Sequence, residues 1–274
     1  MTDAAGDGAR HKWLLAGVGV VAGFIAGLFG VGGGILIAPG LMLLGGLPQR
    51  LAHGTSLATS ALLAVAGIAA YALSGSVDVP AALLIFSGSW LGVLAGADLL
   101  NRIRLRTLQA AFVVLLGVTA GRLLAGPPGG TGELSLTPAI GLALAGCGLL
   151  VGLLAGLLGI GGGIIVVPAL VLLFEVADVT AKGTSLLVIL PTAVVGTLRN
   201  MRHGNVDLRG ALLTGAGGVA SAFGGALLAG IISPQVSTGL FAGLLLMIAV
   251  RMLHRLIRVD GRETDGPGGP EPPG

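Results

Sequence analysis

The sequence is short of charged residues, which make up only 10% of its 274 positions. Soluble globular domains average about 25% charged residues, because their folded surfaces face water. Aromatic residues are also scarce at 4%, whereas hydrophobic residues reach 54% and the mean hydropathy is +0.99. This composition argues against a soluble domain, and the long apolar runs make the lipid bilayer the expected solvent.

Cysteine is nearly absent, and the basic residues form no continuous patch. The single cysteine, Cys147, cannot form an intramolecular disulfide, and no cysteine and histidine cluster for a metal is expected. The formal net charge is only +3, without a continuous basic patch, so nucleic-acid binding is not expected. The sequence also lacks a paired carboxylate, a nucleophile with its base, and a complete phosphate-binding loop. Neither an enzyme nor a cofactor is therefore expected.

Glycine, by contrast, is abundant, and its arrangement reveals an internal repeat. The chain has 51 glycines, and the segment GVGGGI at residues 30–35 recurs as GIGGGI at residues 159–164. The offset between the two segments is 159 − 30 = 129 positions. The same offset pairs Pro39 with Pro168, and it pairs the Gly-Thr-Ser triplets that begin at Gly54 and Gly183.

This repeat predicts two homologous halves. The halves cover residues 13–126 and 142–258, and a linker rich in proline and glycine joins them at residues 127–141. Polar tails occupy residues 1–12 and 259–274, of which the C-terminal tail is expected to be disordered.

Each half divides at polar positions into five apolar runs, in the first half at about residues 13–31, 34–46, 53–74, 79–100 and 105–125. A helix of 13 residues, the length of the second run, rises only about 20 Å, short of the roughly 30 Å hydrocarbon core. We therefore expect the first two runs to form a re-entrant helical hairpin, broken at the triple glycine, before three transmembrane helices. The predicted fold is an all-α integral membrane protein.

Lysine and arginine positions predict how the halves are oriented, because basic clusters mark cytoplasmic loops. Three full spans per half would invert the second half relative to the first. All basic clusters then lie on the cytoplasmic side, with both termini inside and the linker outside a multi-pass inner-membrane protein. These clusters are Arg10 and Lys12; Arg50; Arg102, Arg104 and Arg106; Arg199, Arg202 and Arg209; and Arg251, Arg255 and Arg258. Similar halves in opposite orientation are typical of secondary transporters.

The two triple glycines are the candidate substrate-binding site. Broken helices at membrane depth leave backbone N–H groups unpaired unless these line a polar cavity. The helix that starts after each break directs its first amides and positive dipole end at the break, which favours an anion. Two such ends from inverted halves would form one site near the membrane midplane. The site glycines are Gly32, Gly33, Gly34, Gly161, Gly162 and Gly163.

Scattered glycines have a different interpretation. Small residues let helices approach closely in membranes. We prefer this packing role for Gly17, Gly23, Gly67 and Gly88.

Hydroxyl side chains follow both breaks at matching positions and complete the predicted binding residues. Thr55, Ser56, Thr184 and Ser185 could donate to an anion or cap a helix. For any one of them, a hydrogen bond to a backbone carbonyl of a neighbouring turn is an equally good interpretation.

Ionisable residues near these triplets receive structural interpretations. His53 and Lys182 directly precede the triplets and are expected to anchor at the membrane interface, although the charge there could recruit substrate. Asp78 and Asp207 match across the repeat, and each is expected to cap the next helix. A cation or proton pathway through these aspartates is the alternative.

The doubled glycine motif resembles that of the sulfite exporter TauE/SafE family, an apolar span ending in a G-x-x-G-x-G-G-G-like motif with a following proline. Here it reads GLFGVGGG at residues 27–34 and GLLGIGGG at residues 156–163, followed by Pro39 and Pro168. The resemblance covers nearly the whole chain apart from its tails. It implies export of a small sulfur oxyanion, an organosulfonate or a related organic anion from the cytoplasm by a secondary mechanism.

The expected function is therefore anion transport by alternating access, with a small anion and the lipid bilayer as partners. A passive anion channel and a cation or proton antiporter are the alternatives, and a membrane scaffold would leave the paired breaks without a purpose. A coupling proton or sodium ion, and assembly as a homo-oligomer, are both compatible with this interpretation.

Overall fold

The computed structural model describes residues 3–99, 105–125, 137–158 and 162–263, and the regular structure in these ranges is helical. The helices of the first half are α1 Asp3–Phe29, α2 Gly34–Leu43, α3 Gln49–Leu73, α4 Val79–Leu99 and α5 Leu105–Ala125. Those of the second half are α6 Pro138–Leu158, α7 Gly163–Leu173, α8 Asp178–Arg202, α9 Leu208–Ile231 and α10 Pro234–Glu263.

The predicted helix breaks are confirmed. The helix α1 ends at Phe29 and α2 begins at Gly34, while α7 begins at Gly163. With 10 and 11 residues, α2 and α7 rise about 15 and 16 Å, roughly half the thickness of a hydrocarbon core. Pro39 and Pro168 lie inside these short helices, as expected from the repeat.

Several helices have the length and composition to cross a membrane. Within the described residues these are Gln49–Leu73, Asp178–Arg202, Leu208–Ile231 and Pro234–His254. The helices α4 and α5 have 21 residues each and so rise about 31 Å. The three long helices expected after the first hairpin are therefore present.

The tails differ from the prediction where they adjoin the outer helices. The helix α1 begins at Asp3, inside the predicted N-terminal tail, and α10 continues to Glu263, five residues into the predicted disordered tail. A helix that has already formed gains a hydrogen bond for each further residue, so it can extend beyond its apolar part. The remaining predicted tail, residues 264–274, lies outside the described residues, as does most of the linker.

Glycine allows α1 to lie directly on the backbone of α9. A Cβ atom added at Gly19, Gly23 or Gly27 would overlap backbone atoms of α9, at Thr214, Gly218 and Ala222 respectively. Residue numbers increase together along the contact in α1 and in α9, so the two helices run parallel. The contact of α4 with α6 is built in the same way, since Gly88 meets Ala145 and Gly92 meets Leu149.

The packing role proposed for scattered glycines is confirmed for three of the four. Gly23 and Gly88 lie against backbone atoms of a neighbouring helix, and Gly67 lies against the side chain of Leu186. The expectation is wrong for Gly17, because the space that its Cβ would enter is open. The preceding residue, Ala16, meets Gly217 of α9 through its backbone, whereas Gly17 points to another side of α1.

The helices α3 and α8 pack against each other in opposite directions. Gly54, near the start of α3, meets the carbonyl of Asn205 just after α8, and Gly183, near the start of α8, meets the carbonyl of Ser76 just after α3. These two helices carry the fully buried polar side chains Thr55, Ser56, Thr59, Ser60, Lys182, Thr184 and Ser185. The polar interior therefore lies where α3 and α8 adjoin the breaks.

Candidate substrate site at the glycine breaks

Both breaks use glycine because their backbone turns are left-handed. Gly30, Gly32 and Gly33 have φ angles of 68°, 74° and 74°, and Gly162 has 76°. Residues with a Cβ atom rarely adopt this region, so glycine is the residue that it favours. Gly33 and Gly162 are the N-caps of α2 and α7, and neither helix start has a side-chain cap.

The two helix starts have matching hydrogen bonds. The carbonyl of Gly33 accepts from the N–H groups of Leu36 at 2.9 Å and Ile37 at 3.0 Å. The carbonyl of Gly162 accepts from the equivalent N–H groups, those of Ile165 at 3.0 Å and Val166 at 3.4 Å. The amides that precede these in each first turn have no intrahelical acceptor. Each break therefore presents backbone donors at the positive end of a short helix.

The structure brings the two breaks into contact. The position that a Cβ of Gly163 would take is 2.9 Å from both the Cα and the carbonyl carbon of Val31, 132 positions earlier in the chain. The side chain of Ile189, from α8, touches both Gly32 and Gly163. The first residues of α2 and α7 thus belong to one region of the protein. The sixth predicted glycine, Gly161, lies outside the described residues.

The predicted serines bind the first break. Ser56 Oγ donates to the carbonyl of Gly34 at 3.1 Å, and Ser185 Oγ donates to the carbonyl of Gly30 at 2.8 Å. Both side chains are fully buried. In these contacts each hydroxyl hydrogen is already engaged, so Ser56 and Ser185 hold the break between α3 and α8. Their role as substrate donors stays a prediction.

The predicted threonines join the two halves. Thr55 Oγ1 accepts from the backbone N–H of Asp207, and Thr184 Oγ1 accepts from that of Asp78, each at 2.9 Å. The N-caps of α3 and α8 are Pro48 and Ala177, so the threonines do not cap these helices. Their direct contact with substrate also remains a prediction.

The two aspartates act as helix caps, as predicted. Asp78 Oδ1 accepts from the N–H of Ala81 at 2.9 Å, and Asp207 Oδ1 accepts from that of Arg209 at 3.0 Å. Each threonine therefore accepts a hydrogen bond from the backbone amide of a residue that caps a helix in the other half.

Lys182 is not an interfacial anchor, which corrects the expectation. Its side chain is 0% exposed, and its ammonium donates to Asp178 Oδ2 at 2.6 Å and to Ser237 Oγ. Ser237 Oγ in turn donates to the same carboxylate oxygen at 2.9 Å. The ammonium also lies 6.0 Å from the ring centre of Phe29, at the end of α1. A buried ammonium needs such partners, and the i,i+4 spacing of Asp178 and Lys182 was the available sequence signal.

Ser60 is a buried polar residue that sequence reasoning missed. Its side chain is fully buried, and its Oγ has no hydrogen-bond partner. Among the described residues, the hydroxyls of Thr197 and Thr214 share this property. The sequence did offer one signal for Ser60: it follows Ser56 by four residues on α3, so the two side chains share one face of the helix. A search of the described residues finds no group of three or more His, Cys, Asp or Glu side chains that could hold a metal ion.

Comparison with known proteins places this arrangement in a family. The sequence profile of the sulfite exporter TauE/SafE family matches residues 2–123 and 144–273, which include both breaks and their flanking helices. The chain belongs to the sulfite exporter TauE/SafE family. Membership makes this TauE/SafE protein a multi-pass membrane transporter with a small substrate, consistent with its apolar helices.

Individual relatives carry general transporter names. "Probable membrane transporter protein YunE" of Bacillus subtilis (strain 168) is 31% identical over 220 residues, which are 71% of this chain and 80% of the relative. A "Probable membrane transporter protein" of Xylella fastidiosa (strain Temecula1 / ATCC 700964) is 28% identical over 245 residues, 87% of this chain and 94% of the relative. No solved structure matches the TauE/SafE chain significantly.

Proposed function

We propose that this TauE/SafE protein is a secondary transporter that exports a small anion, a sulfur oxyanion or an organosulfonate, across the inner cell membrane. The observation that carries the proposal is the contact between the glycine breaks, where α2 and α7 begin. First-turn amides without intrahelical acceptors, together with the positive end of the helix dipole, attract anions. Two such helix starts in one place can bind an anion from both sides.

Backbone donors are well suited to a substrate that must also be released. A hydrogen bond to a charged group contributes roughly 1.5–3 kcal/mol, so a few amides can hold an anion without a basic side chain. The buried cation nearest the first break, Lys182, is already neutralised by Asp178. The attraction at the breaks therefore comes from the backbone, and binding remains reversible.

We further propose that residues 13–126 and 142–258 are inverted repeats. The antiparallel packing of α3 on α8 supports this, because these helices hold equivalent positions in the two halves. The α1 contact with α9 likewise has its counterpart in the α4 contact with α6. Alternating access would follow from rocking one set of helices against another around the breaks.

Cysteine labelling tests the inversion independently of transport. Ser74 and His203 are equivalent across the repeat, and both are exposed at helix ends. In a variant lacking Cys147, we expect Ser74→Cys to react with an impermeant reagent from outside the cell. His203→Cys should react only from the cytoplasmic side, since it lies beside a basic cluster. Labelling of both from the same side would refute the inverted topology.

Anion uptake into proteoliposomes tests the site itself. We would measure uptake of sulfite, thiosulfate and methanesulfonate for the wild-type protein and for Gly33→Ala and Gly162→Ala. Both substitutions add a Cβ to a left-handed residue at a break, and uptake should fall at least tenfold. Gly75→Ala and Gly204→Ala are matched controls, because these glycines have φ angles of 66° and 68° but open space around them. The controls carry the same backbone strain away from the breaks, so their uptake should stay near wild type.

Several outcomes would contradict the proposal. Normal uptake by both break variants would place the anion elsewhere, and equal losses in the controls would assign the effect to strain alone. Uptake that does not saturate and does not respond to a proton or sodium gradient would indicate a passive channel. Exchange of protons or sodium without any anion requirement would indicate an antiporter.

A further inference from the structure

Ser60 carries a hydroxyl group in the interior of the protein whose role is not explained by contacts with other residues. Its side chain is 0% exposed and its Oγ has no hydrogen-bond partner. Burying a hydroxyl without a partner is unfavourable, so such a residue needs an explanation. A bound molecule that accepts a hydrogen bond from Ser60 would supply one.

The neighbours of Ser60 on α3 face the first glycine break. Ser56 precedes it by one turn and donates to the carbonyl of Gly34. Leu63 follows it by three residues, and its Cδ1 is 3.1 Å from the position that a Cβ of Gly33 would take. Residues at this spacing share one face of a helix, so Ser60 lies on the face of α3 that covers the start of α2. Other helices occupy other faces, since Thr59 bonds the carbonyl of Ala211 on α9.

The repeat identifies what occupies the same position in the second half. With the offset of 129, Ser60 corresponds to Ile189 on α8. The Ile189 side chain touches Gly32 of one break and Gly163 of the other. In the second half this position therefore faces both breaks, and it carries an apolar side chain there.

We propose that Ser60 donates a hydrogen bond directly to the transported anion, and that Ile189 faces the anion from the equivalent position as an apolar contact. This inference rests on the proposed function and adds two specificity-determining residues to its site. The hydroxyls of Ser56 and Ser185 already donate to backbone carbonyls, whereas the Ser60 hydrogen is free to turn to an oxyanion. An anion with one charged and one apolar end, such as an alkylsulfonate, satisfies both positions.

The test compares three variants in proteoliposomes, with sulfite and methanesulfonate as probes. Ser60→Ala should raise the half-saturation concentration for both anions roughly tenfold, the effect of losing one hydrogen bond to a charged group. Thr59→Val is the matched control, because it removes a neighbouring buried hydroxyl that faces α9 and should leave half-saturation unchanged. Ile189→Ser adds a hydroxyl and removes the apolar contact, so it should shift preference several-fold from methanesulfonate towards sulfite.

Thermal unfolding without anion separates a binding role from a structural one. If Ser60 only stabilised the fold, Ser60→Ala would lower Tm. Because its hydroxyl has no partner in the protein, we expect Tm of Ser60→Ala to equal or exceed that of the wild type, even though affinity falls. A Tm loss in parallel with the affinity loss would overturn the proposal.

The remaining outcomes are also decisive. Wild-type uptake with half-saturation unchanged in Ser60→Ala would overturn this inference and leave the proposed function standing. Equal affinity losses in Ser60→Ala and Thr59→Val would overturn it too. A wild-type protein that carries no anion would refute the proposed function itself.

Discussion

Replacing Lys182 with methionine is expected to destabilise the folded protein by about 3 kcal/mol, because it leaves a carboxylate with one remaining donor in the interior. Removing one partner of a buried ion pair costs about 3–5 kcal/mol. The lower end applies here, because the Asp178 side chain keeps 14% exposure and the hydrogen bond from Ser237. Asp178→Asn should cost more, since it strands an ammonium that is 0% exposed.

The double variant decides whether the ion pair is the cause. Replacing both charges removes the unpaired group, so Lys182→Met with Asp178→Asn should lose only about 1 kcal/mol, much less than either single variant. Reversible unfolding in mixed micelles would measure all three variants and the wild type as a double-mutant cycle. Because the two single losses together exceed about 6 kcal/mol and the double loss is about 1 kcal/mol, we expect a coupling free energy of at least about 5 kcal/mol. The Lys182→Met change alone corresponds to a Tm decrease of roughly 6–12 °C for a chain of this size.

An additive cycle would refute this reasoning. If the two single losses sum to the double loss within about 0.5 kcal/mol, the residues do not interact energetically. A single-variant loss below about 1 kcal/mol would likewise mean that the pair behaves as an exposed one.

Two further predictions concern the contacts between the halves and the close-packed glycines. Thr184→Val should destabilise the protein by about 1–3 kcal/mol, because the N–H of Asp78 loses its acceptor. Thr197→Val is the control: it removes a hydroxyl without a partner and should be neutral or stabilising. Chemical unfolding of both variants checks this prediction. Gly27→Ala should lower Tm, because the added Cβ would overlap the carbonyl of Ala222. In Gly17→Ala the added Cβ enters open space beside a helix, so this variant should be more stable than the wild type by about 0.5–1 kcal/mol. A fall in Tm of equal size in both variants would contradict the packing account.

Features that depend on neighbouring residues could be read from the sequence. The break before α2 followed from three consecutive glycines, and the length of α2 followed from the short apolar run behind them. Asp78 and Asp207 were predictable as caps because a cap bonds an amide only two or three residues away. The family resemblance likewise rested on a contiguous motif, and the comparison confirmed it.

Features that depend on distant partners could not be read in this way. Thr55 and Thr184 receive their hydrogen bonds from residues 152 and 106 positions away, so their sequence context could not distinguish a bridge between halves from a substrate donor. Lys182 preceded an apolar run like any interfacial lysine, and its partner Ser237 is 55 positions away. Gly17 and Gly23 have similar apolar neighbours in the sequence. Only the position of α9 in the fold shows that Gly23 is packed against another helix and that Gly17 is not.

The sequence by itself determined the helical elements, their order in each half and the positions of the breaks, because chain length, hydropathy and the backbone freedom of glycine act locally. The tertiary structure alone decided that Gly163 lies against Val31 and that Ser60 is buried without a partner. Such properties belong to surfaces formed by several helices at once. A hydroxyl has or lacks a partner only after every neighbouring helix has taken its place.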